Sequence, residues 1–406
     1  MNSSNKKDKI SFIKFELNIP NKNDLKGIIF GKYQIIKTIG KSSYSSVFLG
    51  KCINGKKYVA IKVQPRNASI SQLEKEAYYQ YLLKGLGIPK IISFGHSGKY
   101  NVLVETLLGK SIDKLFTMYQ NPLKKMKDLC MAAIQIIDRI QYIHSKNIIH
   151  QDIKPQNFLV GNPDTSIIYI IDFGLSKKFR SSRTGKHINF AKNKLFRGTF
   201  DFSSINSMKG IEMTRRDDLE SIGYMLIFLI KGKLPWFKYN NEDLIERFDN
   251  ILHMKNKISN SELCEFLPFE FCEYMDYVKS LKYEEEPNYI YLRKLFISIL
   301  DKMNEKYDLK FSWIKNKNII NNNKSKNFSL MSSLSNVRRK KSPFYNLLHN
   351  SKEKTGLFKA FNTENDLIRP RNDKKENYFV KRNISSEKDL SITNKLNIFR
   401  RLKNIY

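Results

Sequence analysis

The sequence predicts an α+β fold of two lobes, a small antiparallel β-rich lobe followed by a larger helical one. Three observations carry the prediction. Alternating apolar strands joined by a hairpin signal lie between Tyr33 and Val63, apolar residues recur at helical spacing from Asp128 onward, and apolar periodicity disappears beyond about Trp313. In order along the chain, residues 1–30 are rich in Lys and Asn and read as a polar extension. Tyr33–Ile39 alternates as a strand, Gly40-Lys41-Ser42-Ser43 supplies a turn of small residues, and Ser46–Gly50 pairs back. Asn54-Gly55, a strong short hairpin signal, leads into Tyr58–Val63, which makes a meander and not a βαβ unit. A helix spans about Ser71–Leu83 and is stopped by Gly85 and Gly87; further strands fall near Ile91–Gly95 and Asn101–Glu105. From Asp128 to His144 the residues Leu129, Ala132, Ala133, Ile136, Ile137, Ile140 and Ile143 line one helical face. A β-rich island over Asn157–Asp172 interrupts the helices, which resume from Asp217 to Met303. The folded domain is therefore expected over 31–314, and 315–406 reads as a basic, disordered tail.

Composition bounds the function. The chain has 406 residues, 41% apolar and 12% aromatic, enough for a sizeable core, and a formal net charge of +33. Such a charge invites a nucleic-acid reading, but the excess is spread along the whole chain. About 22 Lys and Arg against 7 Asp and Glu fall in the tail alone, roughly half of the excess. No specific nucleic-acid partner is predicted; an acidic protein substrate or another polyanion suits the charge better. Cys52, Cys130, Cys264 and Cys272 have no metal-ligand spacing and read as free thiols of a reducing compartment, cytoplasmic, nuclear or both. No signal peptide and no transmembrane run is found, and the apolar stretch Ile222–Ile230 is short enough to be a buried helix. A monomer is expected.

Polar residues fall in a fixed order that suits phosphoryl transfer, a reaction needing charge around phosphates and an aligned hydroxyl. Lys62, in the strand ending Ala60-Ile61-Lys62, is held rigidly and would point at the α- and β-phosphates of ATP, with Glu76 as its helix partner. Alone such a pair is ordinarily surface charge. The run His150-Gln151-Asp152-Ile153-Lys154-Pro155-Gln156-Asn157 is more specific: Asp152 would accept the hydroxyl proton, Lys154 would stabilise the transferring phosphoryl, and Asn157 would ligate Mg²⁺. The buried strand Ile167–Ile171 then runs into Asp172-Phe173-Gly174, where Asp172 would chelate the metal bridging the phosphates.

These motifs resemble the eukaryotic protein kinase signatures. Ser204-Ile205-Asn206, where most kinases carry Ala-Pro-Glu, and Arg215-Arg216-Asp217-Asp218-Leu219-Glu220-Ser221 resemble the casein kinase 1 family, as do Gly87-Ile88-Pro89, Leu107-Leu108-Gly109, Leu234-Pro235-Trp236 and Tyr289-Ile290-Tyr291-Leu292-Arg293. The resemblance covers about Tyr33–Trp313. It implies a bilobal kinase fold, ATP and Mg²⁺ as cofactors, and transfer to Ser/Thr of protein substrates in acidic or phosphorylated contexts. It also implies a nucleotide site walled by Ile39, Gly40, Val47, Ala60, Glu105 and Leu108, a brace from Asp218 to the catalytic loop, and a hydrogen bond from Thr199 near Asp152 and Lys154.

Departures from the family bear on activity. Ser42 and Ser45 replace two glycines of the phosphate-covering loop, which predicts weaker nucleotide binding. Gln151 replaces an arginine that commonly answers an activating phosphate. Glu105 stands where the family has Met, at the back of the adenine pocket; it either pairs with Lys62 in competition with Glu76 or rotates outward. Asp201 replaces a phosphate-recognition arginine, and Glu242 and Asp243 replace lysines, so the preference for primed substrates is expected to be lost unless Arg197, Arg215 and Arg216 compensate. Together these departures support an alternative reading, a pseudokinase acting as scaffold. The basic cluster Arg338–Lys341 and the serines near it suit a polyanion or nuclear-import patch and autophosphorylation sites.

Overall fold

A computed structural model describes residues 28–29, 32–41, 45–66, 72–240 and 243–314; the tail, with its basic cluster and serines, lies outside them. Six strands form one antiparallel sheet in the order β1-β2-β3-β4-β6-β5: β1 (Ile28–Ile29), β2 (Tyr33–Lys41), β3 (Ser46–Cys52), β4 (Tyr58–Pro65), β5 (Ile91–Ser97) and β6 (Tyr100–Thr106). Helix α1 (Gln72–Leu82) intervenes between β4 and β5, within a residue of the predicted bounds. Side chains alternate across a strand, so Val59, Ile61 and Val63 of β4 pack with Phe48, Val102 and Val104 in one core. The residues between them face the other way: Leu103 joins Leu73 and Ala77 of α1. Ala60 pairs with Glu105, and Lys62 with both Val47 and Leu103. Strand parity alone therefore puts Lys62 and Glu105 on the side of the sheet that α1 covers.

The chain then becomes helical. The helical lobe holds α2 (Ile112–Phe116), α3 (Pro122–Ser145), α4 (Ile205–Met208), α5 (Arg215–Lys231), α6 (Leu244–Lys257), α7 (Asn260–Leu263), α8 (Phe269–Ser280) and α9 (Tyr289–Lys302). Helix α3 starts at Asn121, whose side chain accepts from the Lys124 amide, with Pro122 at the first position. Helix α5 opens with the Asp217 side chain accepting from the Thr214 amide and ends at Gly232, and it is buried along nearly its whole length, including 222–227. Two two-stranded sheets lie in the segment between α3 and α5: β8 (Phe158–Val160) pairs with β9 (Ile168–Ile170), and β7 (Ile148–Ile149) with β10 (Lys177–Lys178). All four cysteines are free, Cys130 and Cys264 buried and Cys52 and Cys272 half-buried. Among the described residues no helix is long and apolar enough to cross a membrane.

Gly87 joins the loop after α1 to the helical lobe. Its carbonyl accepts from the Ile170 amide at 2.9 Å, its φ is +80°, and a Cβ there would meet Arg139 Nε at 1.9 Å, an atom that itself donates to the Ile168 carbonyl. Gly87→Ala is expected to destabilise the domain by about 1–3 kcal/mol. The check is a lower denaturant midpoint at unchanged slope.

Candidate active site

The backbone from β7 to the tight turn Pro155–Asn157 is fixed from beneath by Asp218, in the first turn of α5. Asp218 is fully buried; its Oδ2 accepts from the His150 amide at 2.8 Å and its Oδ1 from the Gln151 amide at 2.9 Å. His144 Nε2 lies 3.0 Å from the same carboxylate, and His144 Nδ1 is 2.6 Å from the Tyr289 hydroxyl. Burial alone would raise Asp218, but the hydrogen bonds and the two histidines hold it below the usual carboxylate range. Gln151 takes a left-handed φ of 69° and is buried, with no partner for its Oε1 among the described residues.

Asp152 emerges next. Its Oδ2 is contacted by Lys154 Nζ at 2.6 Å and its Oδ1 accepts from the Thr199 hydroxyl at 2.9 Å. Asn157 Nδ2 donates to the Asp152 carbonyl at 2.8 Å and, more weakly, to Oδ2 at 3.3 Å. Thr199 reaches across because Gly198 takes a φ of +99° and a Cβ at that residue would stand 2.7 Å from the Gln151 carbonyl. The Asn157 carbonyl accepts from the Ile171 amide at 3.0 Å, which ties this turn to the residue preceding Asp172.

From the strand side, Lys62 Nζ contacts Glu76 at 2.6 Å and Asp172 at 3.6 Å. Burial would lower Lys62; Asp172 and Glu76 together override it and raise it above its ordinary value. Burial raises Glu76 above the usual carboxylate range; the Lys62 ammonium, 2.6 Å away, opposes that rise and holds the carboxyl in a charge-assisted hydrogen bond. Asp172, in a left-handed φ of 67°, also feels burial, but Lys62 and Lys154 hold it below the usual carboxylate range. Glu76, Lys62, Asp172, Lys154 and Asp152 thus form one line of alternating charge, and Asn157 and Thr199 stand at its end. An ionised carboxylate and an amide, joined through the backbone of 157 and 171, are a donor set that suits Mg²⁺.

The remaining sequence-predicted wall residues are apolar or backbone positions. Gly40 pairs with Val47 across β2 and β3, Val47 pairs with Lys62, and Ala60 with Glu105. Ile39, 42% exposed, and the half-buried Leu108 flank this wall. Ser42 lies outside the described residues, and Ser45 is buried at the start of β3.

Three expectations need correction. Glu105 neither pairs with Lys62 nor rotates outward. It is buried, and its Oε2 accepts from Gln80 Nε2 at 2.7 Å, while Gln80 also donates to the Pro89 carbonyl at 2.9 Å. Burial raises Glu105, opposed by Gln80 and Lys62. Asp201 is no free negative charge: Arg247 Nη2 holds its two oxygens at 2.9 and 3.0 Å. Arg215 and Arg216 do not stand ready for a phosphate. Arg215 donates to the Glu284 carbonyl beneath the ring of Phe179, and Arg216 to the Leu281 carbonyl. Arg197 stays exposed, Asp243 caps α6, and Glu242 lies outside the described residues.

Sequence reasoning missed Gln80 and Arg247. Gln80 carried a signal, since it follows Glu76 by four residues and so shares its helix face. Arg247, 46 residues from Asp201, carried none.

The model of the protein kinase domain family matches residues 33–306. The chain belongs to the protein kinase family. Domains of this family are phosphotransferases that act on proteins and generally use ATP and Mg²⁺.

The Gln80–Glu105 pair generates a prediction. Gln80→Leu strands a buried carboxylate and is expected to cost about 1–3 kcal/mol or more in denaturant unfolding. Adding Glu105→Met should recover most of the loss, giving a coupling energy of about 1–3 kcal/mol in the double-mutant cycle.

Proposed function

We propose that the chain is an active Ser/Thr protein kinase of casein kinase 1 type, with its kinase domain over 31–314, and not a pseudokinase scaffold. The observation that carries the reading is the joining of Asp152 to Lys154 and Thr199 in one hydrogen-bonded group, with Asp172 ionised between Lys62 and Lys154. A decaying site has no reason to keep five charges in alternation, each with its partner.

In this reading Asp152 orients the substrate hydroxyl and takes its proton, since a carboxylate fixed on both oxygens presents a defined lone pair. Lys154 screens Asp152 and faces the transferring phosphoryl. Lys62, pinned by Glu76, neutralises the α- and β-phosphates. Mg²⁺, when bound, supplies charge neutralisation at the phosphates; Asp172 and Asn157 would hold it, the Asn157 amide nitrogen being turned to Asp152 and its oxygen therefore away. The casein kinase 1 type is supported by the anchoring of Ser204-Ile205-Asn206. Ser204 Oγ donates to Asp217 at 2.7 Å and the Ile205 amide to Glu220 at 2.9 Å, so α5 carboxylates do locally what a different motif does elsewhere.

Purified protein with radiolabelled ATP, Mg²⁺ and casein is expected to incorporate phosphate into Ser or Thr. Asp152→Asn and Asp172→Asn should each lower the rate by about 10²–10⁴-fold. A wild-type signal no greater than that of Asp172→Asn would leave the scaffold reading.

Substrate choice follows from Asp201. Its charge is cancelled by Arg247, so at that position a phosphate meets neither repulsion nor a free cation. A peptide primed with phosphoserine and its unprimed counterpart should have kcat/KM values within about a factor of three, measured side by side at low salt.

A further inference from the structure

Lys255, near the end of α6, is buried more completely than any other lysine or arginine among the described residues, at 1% exposed. Its Nζ donates to the Phe200 carbonyl at 2.8 Å and the Ser203 carbonyl at 2.7 Å. The ammonium stands over the rings of Tyr224, at 4.6 Å, and Trp236, at 4.8 Å. Trp236 Nε1 donates to the Asp201 carbonyl at 3.0 Å, and Arg247, two turns earlier on α6, holds the Asp201 carboxylate. Three carbonyls of the segment 200–203 are thus gripped from below. At its head the Thr199 hydroxyl donates to Asp152, and Ser203 Oγ closes the turn by donating to the Thr199 carbonyl at 2.8 Å.

A buried cation is seldom the most stable filler of such a space; an apolar side chain of similar volume is often neutral or better. What Lys255 adds is position. A substrate hydroxyl that reaches Asp152 must pass beside Thr199 and the loop it heads, and displacement of about 1 Å there is enough to cost two orders of magnitude in rate.

We propose that Lys255 is a positioning residue for the protein substrate, its ammonium holding the 199–203 loop in register with Asp152; this rests on the kinase reading of Asp152. The groups facing it are Glu220, engaged by Tyr224 and the Ile205 amide; Asp201, paired with Arg247; and Lys279 of α8, which donates to Asn260. Burial, aided by Lys279 and opposed by Glu220 and Asp201, brings Lys255 down to about 7. The charged form is therefore present below that pH and lost above it, and a neutral amine keeps two donors but loses the attraction of both rings.

The test uses the full chain as wild type, Lys255→Met and Lys255→Arg. Steady-state kinetics with a Ser-containing acidic peptide, peptide affinity by fluorescence anisotropy, Mg·ATP affinity and amide exchange over 199–203 are measured from pH 6 to pH 9. Lys255→Met is expected to weaken peptide affinity and lower peptide kcat/KM by about 10–100-fold, to speed exchange of the Phe202 and Ser203 amides, and to leave Mg·ATP affinity unchanged. Wild type should lose peptide affinity above about pH 7. Lys255→Arg, charged throughout, should not. Unchanged loop exchange in Lys255→Met, equal losses for peptide and nucleotide, or the same alkaline loss in Lys255→Arg would overturn the proposal. Faster loop exchange and weaker peptide binding in Lys255→Met, with no phosphoryl transfer by wild type, would uphold the positioning of the loop and overturn the kinase reading instead.

Discussion

One buried carboxylate, Asp218, sets where the candidate catalytic segment runs. A charge with no exposure to water is tolerated only if its lone pairs are filled, and here two backbone amides and a histidine fill them. Its place in the first turn of α5 adds the favourable end of the helix dipole. Its neighbour shows how much depends on partners. Asp217, equally buried, turns back to cap its own helix and to accept from Ser204, and burial leaves it raised to about 6. Two adjacent aspartates divide the work: Asp217 anchors Ser204 at the end of the segment, Asp218 its beginning. Because α5 is the most enclosed helix of the lobe, both anchor points inherit the rigidity of the core.

The alternating line from Glu76 to Asp152 follows from that frame. Lys62 comes from a strand, Glu76 from α1, Asp172 from the turn after β9, and Lys154 and Asp152 from the segment Asp218 holds. Each cation lies between carboxylates, so each is held charged in spite of burial. The Glu105–Gln80 pair sits beside this line. Gln80 gives the Glu105 carboxyl a neutral partner in place of Lys62: its amide donates to Oε2, while Lys62 stays with Glu76.

Most of this frame was legible in the sequence. Strand alternation and the Asn54-Gly55 turn gave the meander, and helical spacing gave α3 and α5. The order of the motifs is enough to assign Lys62, Asp152, Asn157 and Asp172 to one site. The pairings of the departures were not legible. Glu105 has its facing decided by strand parity, which periodicity can supply, but its partner decided by which residue one turn beyond Glu76 happens to be long and neutral. Asp201 and Arg247 meet only because α6 folds back beneath the loop, a long-range contact with no local period to announce it.

The same folding back explains why a net charge of +33 is a poor guide to what the cleft accepts. Around the loop that borders Asp152 the cations other than the exposed Arg197 are engaged. Lys177 and Lys194 both contact Glu212, Arg247 faces Asp201, Arg215 and Arg216 grip carbonyls, and Lys255 is sealed under two rings. A phosphate arriving there would have to break an existing pair and leave a half-buried carboxylate behind, which costs more than a surface ion pair returns. Charge on exposed lysines acts over a screening length and does not select a particular phosphate. The shape of the loop itself is held by side chains of α5, α6 and the turn Pro235–Tyr239: Glu220 takes the Ile205 amide, Lys255 the Phe200 and Ser203 carbonyls, and Trp236 the Asp201 carbonyl.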